Sequence, residues 1–183
     1  MDCQLATNQH NRCKVLCLQF PHCACEQHSV SSYSPGIVQD DEYLVRLIFS
    51  PTHFNEQTGK LKPFAFLDCK DKGLSVNRLQ YTSVDELKQT AAFISCGRQI
   101  VGVVVAQCAD IRAIVDEENQ RAFCVYDTAT KNNQSHADIC QAVADTCTKT
   151  GKGRKRGSQL RRKLMKIFSE HPLTLEEAFS KFT

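Results

Sequence analysis

The chain has 183 residues, 42% of them hydrophobic and 23% charged, and its formal net charge is +3. This size and composition allow a buried core, so we expect one compact domain with appendages and exclude a wholly disordered chain. The longest apolar run, residues 100–106, is far shorter than the roughly 20 residues of a membrane-spanning helix, so no membrane partner is expected.

Residues 1–35 differ in composition from the rest of the chain. They are rich in Gln, Asn, Ser, His and Cys, and residues 31–36 form a turn or linker signal. This pattern predicts a weakly ordered, Cys/His-rich lead. The lead lacks the apolar stretch and the small-residue cleavage site of a secretory signal, so we expect a cytoplasmic protein with reduced thiols.

Cysteine is the compositional outlier, with eleven residues, five of which lie in the first 25 positions. Because eleven is odd, a framework in which every cysteine pairs within the chain is excluded. The six later cysteines are scattered singly among apolar neighbours. We expect most of them to serve as small core side chains.

Residues 36–147 carry the pattern of a small globular domain. A capping box from Ser83 to Glu86 marks the start of its clearest helix, over residues 83–95. A second helix is predicted at about 136–146. Strands are predicted at 43–49, 64–67, 74–79, 99–109 and 121–126. The order predicts an α+β fold with a small mixed or largely antiparallel sheet and two packed helices.

Residues 148–183 form a third region. Three glycines and no apolar side chain in 148–157 predict a flexible basic linker. Leu160 and Leu164 then lie on one face of an amphipathic helix that Pro172 ends, and a capping box from Thr174 begins another helix. We therefore expect a C-terminal helical hairpin that docks on the body, on a partner or on another copy.

The small net charge conceals an uneven distribution. Residues 149–183 contain ten Lys and Arg and three Glu, a net +7, which leaves 13 basic and 17 acidic side chains, a net −4, elsewhere. From 149 to 166 there are nine cations and no acid, and phosphate backbones attract such segments through counterion release. No aromatic residue interrupts the run, so the attraction should be electrostatic and independent of base sequence.

The leading hypothesis is therefore a non-catalytic accessory module that binds nucleic acid through its C-terminal arm. The alternatives for this arm are a solvated linker, or an acidic protein or membrane surface as its partner. The predicted contacts are Lys149, Lys152, Arg154, Lys155, Arg156, Arg161, Arg162, Lys163 and Lys166.

A possible metal site lies in the N-terminal region. Its candidate ligands are Cys13, Cys17, Cys23, Cys25 and His28, which are of the kinds that zinc binds. The spacing lacks the paired CxxC knuckles of common zinc sites, so an unstructured cysteine-rich lead is the alternative.

A third constellation lies in the body, where Arg46, His53, Arg78 and His136 are the candidate catalytic residues. Converging on one cleft, they could bind a phosphorylated or nucleotide-like ligand, with a histidine for acid–base chemistry. Ser75 and Asp138 lie near them in the sequence. The alternative gives each a separate structural role. An enzyme is thus the second hypothesis, and a protein–protein adaptor docking through the C-terminal helices is the third. A shared pocket would favour the enzyme.

Overall fold

The computed structural model describes residues 2–28, 31–147 and 151–183. Its centre is a five-stranded antiparallel sheet, which confirms the α+β fold. The strands are β1 (Tyr43–Ser50), β2 (Phe54–Asn55), β3 (Lys60–Leu61), β4 (Leu74–Arg78), β5 (Gln99–Gln107), β6 (Phe123–Asp127) and β7 (His136–Gln141). The sheet order is β5-β1-β4-β7-β6, and β2 and β3 form a separate hairpin.

Helices and turns cover both faces of this sheet. The helices are α1 (Cys3–Thr7), α2 (Arg12–Gln19), α3 (Val84–Ile94), α4 (Cys108–Arg112), α5 (Gly151–Ile167) and α6 (Leu175–Phe182). The 3₁₀ turns are Pro63–Lys70, Leu79–Tyr81 and Ala144–Cys147. The predicted capping boxes at Ser83 and Thr174 are both present. Within the described ranges, no helix has the length and apolar composition needed to cross a bilayer.

Alternation along the strands gives the sheet two buried faces. On the first, which we call face A, Leu44 and Ile48 of β1 pack with α4, α5 and the turn Pro63–Lys70. On the second, face B, Val45 and Leu47 pack with α3 and α6. Further along face B, α1 and α2 pack over β6 and β7 in a separate cluster. The two C-terminal helices therefore pack on opposite faces of the sheet, α5 on face A and α6 on face B.

The described part of the predicted basic linker is helical. Helix α5 begins at Gly151, and Gly153 and Gly157 lie on its buried side, in line with Leu160 and Leu164. A Cβ atom at Gly157 would lie 3.2 Å from the carbonyl oxygen of Thr146. Gly157 thus lets the helix approach the turn Ala144–Cys147 closely, a role that composition alone does not distinguish from flexibility.

Two other predicted elements differ in type. Residues 64–67 lie in a 3₁₀ turn, whose Ala65 and Phe66 are buried; a short apolar run does not distinguish a turn from a strand. Residues 136–141 form β7 instead of a helix, because Ala137 and Ile139 face one side while Asp138 faces the other. This strand fills the gap between β4 and β6.

The lead also differs from the weakly ordered segment that its composition predicts. Residues 2–28 cover face B over β6 and β7, and Glu26, 3% exposed, accepts a 2.6 Å hydrogen bond from the Val125 amide on the outer edge of β6. Four cysteine pairs lie within this layer or join it to the body: Cys3–Cys25, Cys13–Cys140, Cys17–Cys147 and Cys23–Cys124. Three of the six later cysteines are therefore paired, and Cys69 and Cys108 are buried free thiols, as predicted for core side chains.

The opposite edge of the sheet is closed by the connection between α5 and α6. Leu173 exchanges two backbone hydrogen bonds with Val103 of β5, of 2.8 and 2.9 Å, and Ser169 donates its amide to the Val105 carbonyl. We call residues 169–173 the strap. Gly102, at φ +150°, lies directly beneath the strap, and a Cβ atom there would collide with the Leu173 carbonyl oxygen.

Gly102→Ala should therefore displace the strap and lower the free energy of unfolding by about 3 kcal/mol, because it adds a backbone collision to an unfavourable φ. Gly97→Ala is the matched control, since Gly97 has φ +80° but no atom within 4 Å of the added carbon; about 1 kcal/mol is expected there. Urea unfolding measures both. Equal losses would contradict the role of the strap.

The cysteine pairs should be detectable as disulfides. Alkylation of the unfolded, unreduced protein should modify only Cys69, Cys96 and Cys108, as measured by intact mass. Replacing both Cys17 and Cys147 by Ser should lower the free energy of unfolding by about 2–4 kcal/mol, because the link closes a long loop. Cys96→Ser is the control and should change little. Eleven alkylated thiols without reduction would rule out the pairing.

Candidate functional site

Helix α5 presents two different faces. Its buried side packs on face A, as described above, whereas its outer side carries no acidic residue from Gly151 to Ile167. Lys155, Arg162 and Lys166 follow one another at helical spacing along the centre of the outer side. Lys152, Arg154 and Lys163 flank them, and all six are exposed.

The six exposed cations differ in how they are held. Among residues 2–28, 31–147 and 151–183, no side chain or carbonyl pairs with Lys152, Lys155, Arg162, Lys166 or Arg154, while Lys163 donates to the Val115 carbonyl at 2.9 Å. At 1.5 Å per residue, Lys152 and Lys166 are about 21 Å apart along the axis. We call Lys152, Arg154, Lys155, Arg162, Lys163 and Lys166 the basic stripe.

The other predicted cations are used differently. Arg156 lies 2.6 Å from Asp116 and 3.1 Å from Asp145, which anchors α5 to two loops of the body. Arg161 donates to the Gln141 side chain at 2.9 Å. Both are half-buried, so their role is to hold the helix. Lys149 lies outside the described residues.

A cleft of about 310 Å³ lies beside the basic stripe, between α5 and the loop that contains Asp116. Arg162, Lys163 and Lys166 line one side of it, and Asp116 and Glu117 line the other. The acids reduce the positive potential on that side of the helix. Lys152, Arg154 and Lys155 of the basic stripe are not among the residues that line this cleft.

Arg46 and His53, predicted for an active site, are buried in face A and in the loop after β1. Arg46 donates to the carbonyls of Ala65 and Ser75 at 2.8 and 2.7 Å, and burial lowers its pKa to about 10. His53 Nδ1 accepts from the Phe49 amide at 3.3 Å. Burial, together with the charges of Arg46 and Arg98, lowers the pKa of His53 to about 4.

Arg78 lies at the other end of the sheet, opposite Leu44 near the start of β1. It binds Glu42 through two hydrogen bonds of 2.6 Å and also donates to the Gly36 carbonyl. Asp127 lies 3.7 Å away, and the Arg78 side chain is 1% exposed. This guanidinium holds the segment that leads into β1, so it is committed to the fold. Arg78 and the loop that contains His53 are about 20 Å apart along β1.

His136 lies on face B, away from the other three residues. Its Nδ1 is 2.8 Å from the Thr128 hydroxyl and 3.1 Å from the Thr128 carbonyl oxygen. The same hydroxyl donates to Asp138 at 2.9 Å, and Arg12 donates to Asp138 at 2.7 Å. The four candidate catalytic residues therefore do not share a pocket, and the geometric basis of the enzyme hypothesis is absent among the described residues.

Sequence reasoning missed Thr128 and Arg12 in this group. A signal for this group was present in the sequence, because polar residues are dense in 75–78 and 136–138. These two segments form paired strands, with Ser75 opposite Asp138. Arg12 had no such signal, since nothing in its local sequence indicates a partner 126 positions away.

The five candidate zinc ligands are also separated. Cys13, Cys17 and Cys23 pair with three different cysteines of the body, and Cys25 pairs with Cys3. His28 is exposed and remains outside these pairs. Within the described ranges, no group of three or more His, Cys, Asp or Glu side chains is arranged to hold a metal ion. The sulfur atoms that would bind zinc are instead paired with other cysteines.

Comparison with models of known protein families, with curated proteins and with solved structures finds no match to this chain.

The buried His53 predicts a pH dependence of stability. Its pKa is about 4 when folded and about 6.5 when unfolded, so its contribution is complete above pH 6.5 and is lost as the pH falls toward 4. Between pH 6.5 and 4 the free energy of unfolding of the unmodified chain should therefore fall by about 3 kcal/mol more than that of His53→Asn. Urea unfolding at pH 7, 5.5 and 4.5 measures this. His171→Asn, at an exposed site, is the control and should leave the pH profile unchanged.

Proposed function

We propose that the protein binds nucleic acid through the basic stripe of α5, by contact with backbone phosphates. The observation that carries the proposal is a rigid row of six exposed cations on a helix that contains no acid. Arg156 and Arg161 anchor that helix to the body, so the row has a fixed position. The stripe contains no aromatic side chain, which favours binding without base recognition.

The dimensions of the stripe suit a phosphate backbone. A length of about 21 Å spans roughly six phosphates of one strand at 3.4 Å each. A straight helix touches only some of them, so about four charge contacts are expected. Four contacts give a log–log salt slope of about −3.6 on duplex DNA, which is roughly a hundredfold loss of affinity between 50 and 200 mM salt.

The packing of the C-terminal helices also bears on the adaptor hypothesis. Leu160 and Leu164 of α5 are buried against face A, and Leu175 and Ala178 of α6 are buried against face B. Their apolar sides are thus already used within the chain. The charged outer side of α5 is what these helices offer to a partner, and that favours a polyanion over an apolar protein surface.

The test is a fourfold charge removal. Lys152→Gln, Lys155→Gln, Arg162→Gln and Lys166→Gln combined should weaken binding to a labelled 20-base-pair DNA duplex about a hundredfold at 100 mM salt and should flatten the salt slope by about 3. Fluorescence anisotropy across a salt series measures both. Circular dichroism checks that α5 remains helical.

The matched control removes the same charge elsewhere. Lys14, Lys60, Lys72 and Lys131 are exposed lysines of the lead and body. Changing these four to Gln should leave the affinity within about threefold and the slope unchanged. An equal loss in both variants would show that net charge alone attracts the duplex. No binding by the unmodified chain, to this duplex or to single-stranded RNA, would end the proposal.

A further inference from the structure

A second polar site lies on face B, on the opposite side of the sheet from the basic stripe. Helices α3 and α6 cover β1 and β5, and the lead covers β6 and β7. Between the two layers, Ser75 on the central strand β4 is exposed. Asn77 and His136 lie opposite each other next to it, across β4 and β7. We call Ser75, Asn77 and His136 the polar strip.

The hydrogen bonds of Thr128 determine which ring nitrogen of His136 carries the hydrogen. The Thr128 hydroxyl has one hydrogen, and it is donated to the Asp138 carboxylate at 2.9 Å. The hydroxyl oxygen and the carbonyl oxygen of Thr128, both near His136 Nδ1, can then act there only as acceptors. Nδ1 must therefore carry the hydrogen. In the neutral ring, Nε2 is left with a lone pair.

That lone pair is open to solvent. Within the described chain, the buried side-chain nitrogen and oxygen atoms without a hydrogen-bond partner are Asp127 Oδ1 and Arg156 Nε. Nε2 of the half-buried His136 has no partner and is not one of these buried atoms, so it reaches the surface. Asn77 is only 5% exposed, and its oxygen accepts from Asn133 and Ser135, so its amide nitrogen is the polar atom of that side chain left without a partner among the described residues.

A partly buried ion pair adjoins the polar strip. Asp138, 2% exposed, is paired with Arg12 at 2.7 Å, and Gly73 packs so closely on it that a Cβ atom there would lie 2.5 Å from the carboxyl carbon. The carboxylate is thus fixed in place and neutralised. Because Arg12 is already paired, it offers no free charge to an anionic ligand, in contrast to the basic stripe.

We infer that the polar strip is a recognition site for a small uncharged ligand that carries neighbouring hydroxyl groups. One hydroxyl donates to His136 Nε2, and the Asn77 amide and the Ser75 hydroxyl donate to adjacent ligand oxygens. Directly opposite side chains in an antiparallel pair are about 5 Å apart at Cβ and diagonal ones about 7 Å, a spacing that neighbouring hydroxyls of a polyol can span. Thr128 and Asp138 are positioning residues, because they act through His136.

The tautomer is the first test, since free histidine prefers the hydrogen on the other nitrogen, Nε2. Long-range ¹H–¹⁵N correlation spectra at pH 8 should show His136 protonated at Nδ1 and unprotonated at Nε2. Thr128→Val removes one of the two acceptors and should move the ring toward the free-histidine ratio, with far-UV circular dichroism unchanged. His171, which is exposed, is the internal control. An Nε2-protonated His136 in the unmodified chain would overturn the inference.

The ligand class is the second test. Titration with D-ribose, D-glucose and glycerol in the millimolar range should shift the ring signals of His136 for at least one polyol, and inorganic phosphate should not. Ser75→Ala and Asn77→Asp should each weaken that shift at least threefold. Shifts with phosphate alone, or with none of the polyols, would overturn the assignment. The fourfold α5 variant should keep the polyol response, so this site and the proposed nucleic-acid function succeed or fail separately.

Discussion

The close approach of α5 to the turn Ala144–Cys147 determines where the positive charge of this chain is displayed. A glycine at 157 removes the side chain that would keep the helix away, and Arg156 then pairs with Asp116 and Asp145. Because its other side is buried, the helix projects outward the lysines and arginines that do not anchor it. The same turn carries Cys147, which joins it to Cys17 of the lead. The turn that supports the basic stripe is therefore linked to the N-terminal lead.

Buried arginines explain how the sheet tolerates charge inside its core. Arg46 gives its hydrogens to two carbonyls, and Arg78 forms a two-bond pair with Glu42. Such groups are costly to bury unless their hydrogen bonds are complete, so each is committed to holding neighbouring segments. Charged residues within an apolar strand can therefore indicate internal bracing as readily as chemistry. His136 differs because one ring nitrogen is held and the other is left open.

The parts of the fold that depend on local pattern could be predicted from the sequence. The α+β class, the strands β1, β4, β5 and β6 and the two capping boxes all follow from alternation, apolar runs and short-range caps. Elements whose identity depends on distant contacts could not. The glycine-rich start of α5 has the composition of a linker, and only the turn that Gly157 packs against shows otherwise. Strand β7 likewise depends on its neighbours on both sides.

The candidate site divides in the same way. The basic residues were predictable because charge density is a local property, although their division into anchoring and exposed cations required the packing. Three of the four cysteine pairs, and the contact of Arg12 with Asp138, join residues more than 100 positions apart. No local pattern reveals contacts between residues so far apart. From its composition alone, the lead is therefore predicted to be weakly ordered.

The two chain ends share one further property, which concerns the edges of the sheet. The strap occupies the outer edge of β5, and Glu26 occupies an amide on the outer edge of β6. An open β edge is a template onto which another copy can add a strand. The segments near the two termini therefore hinder the addition of a strand from another copy to the sheet. A shortened form of this protein, cut at either end, would expose such an edge together with the apolar residues that the lost segment covers.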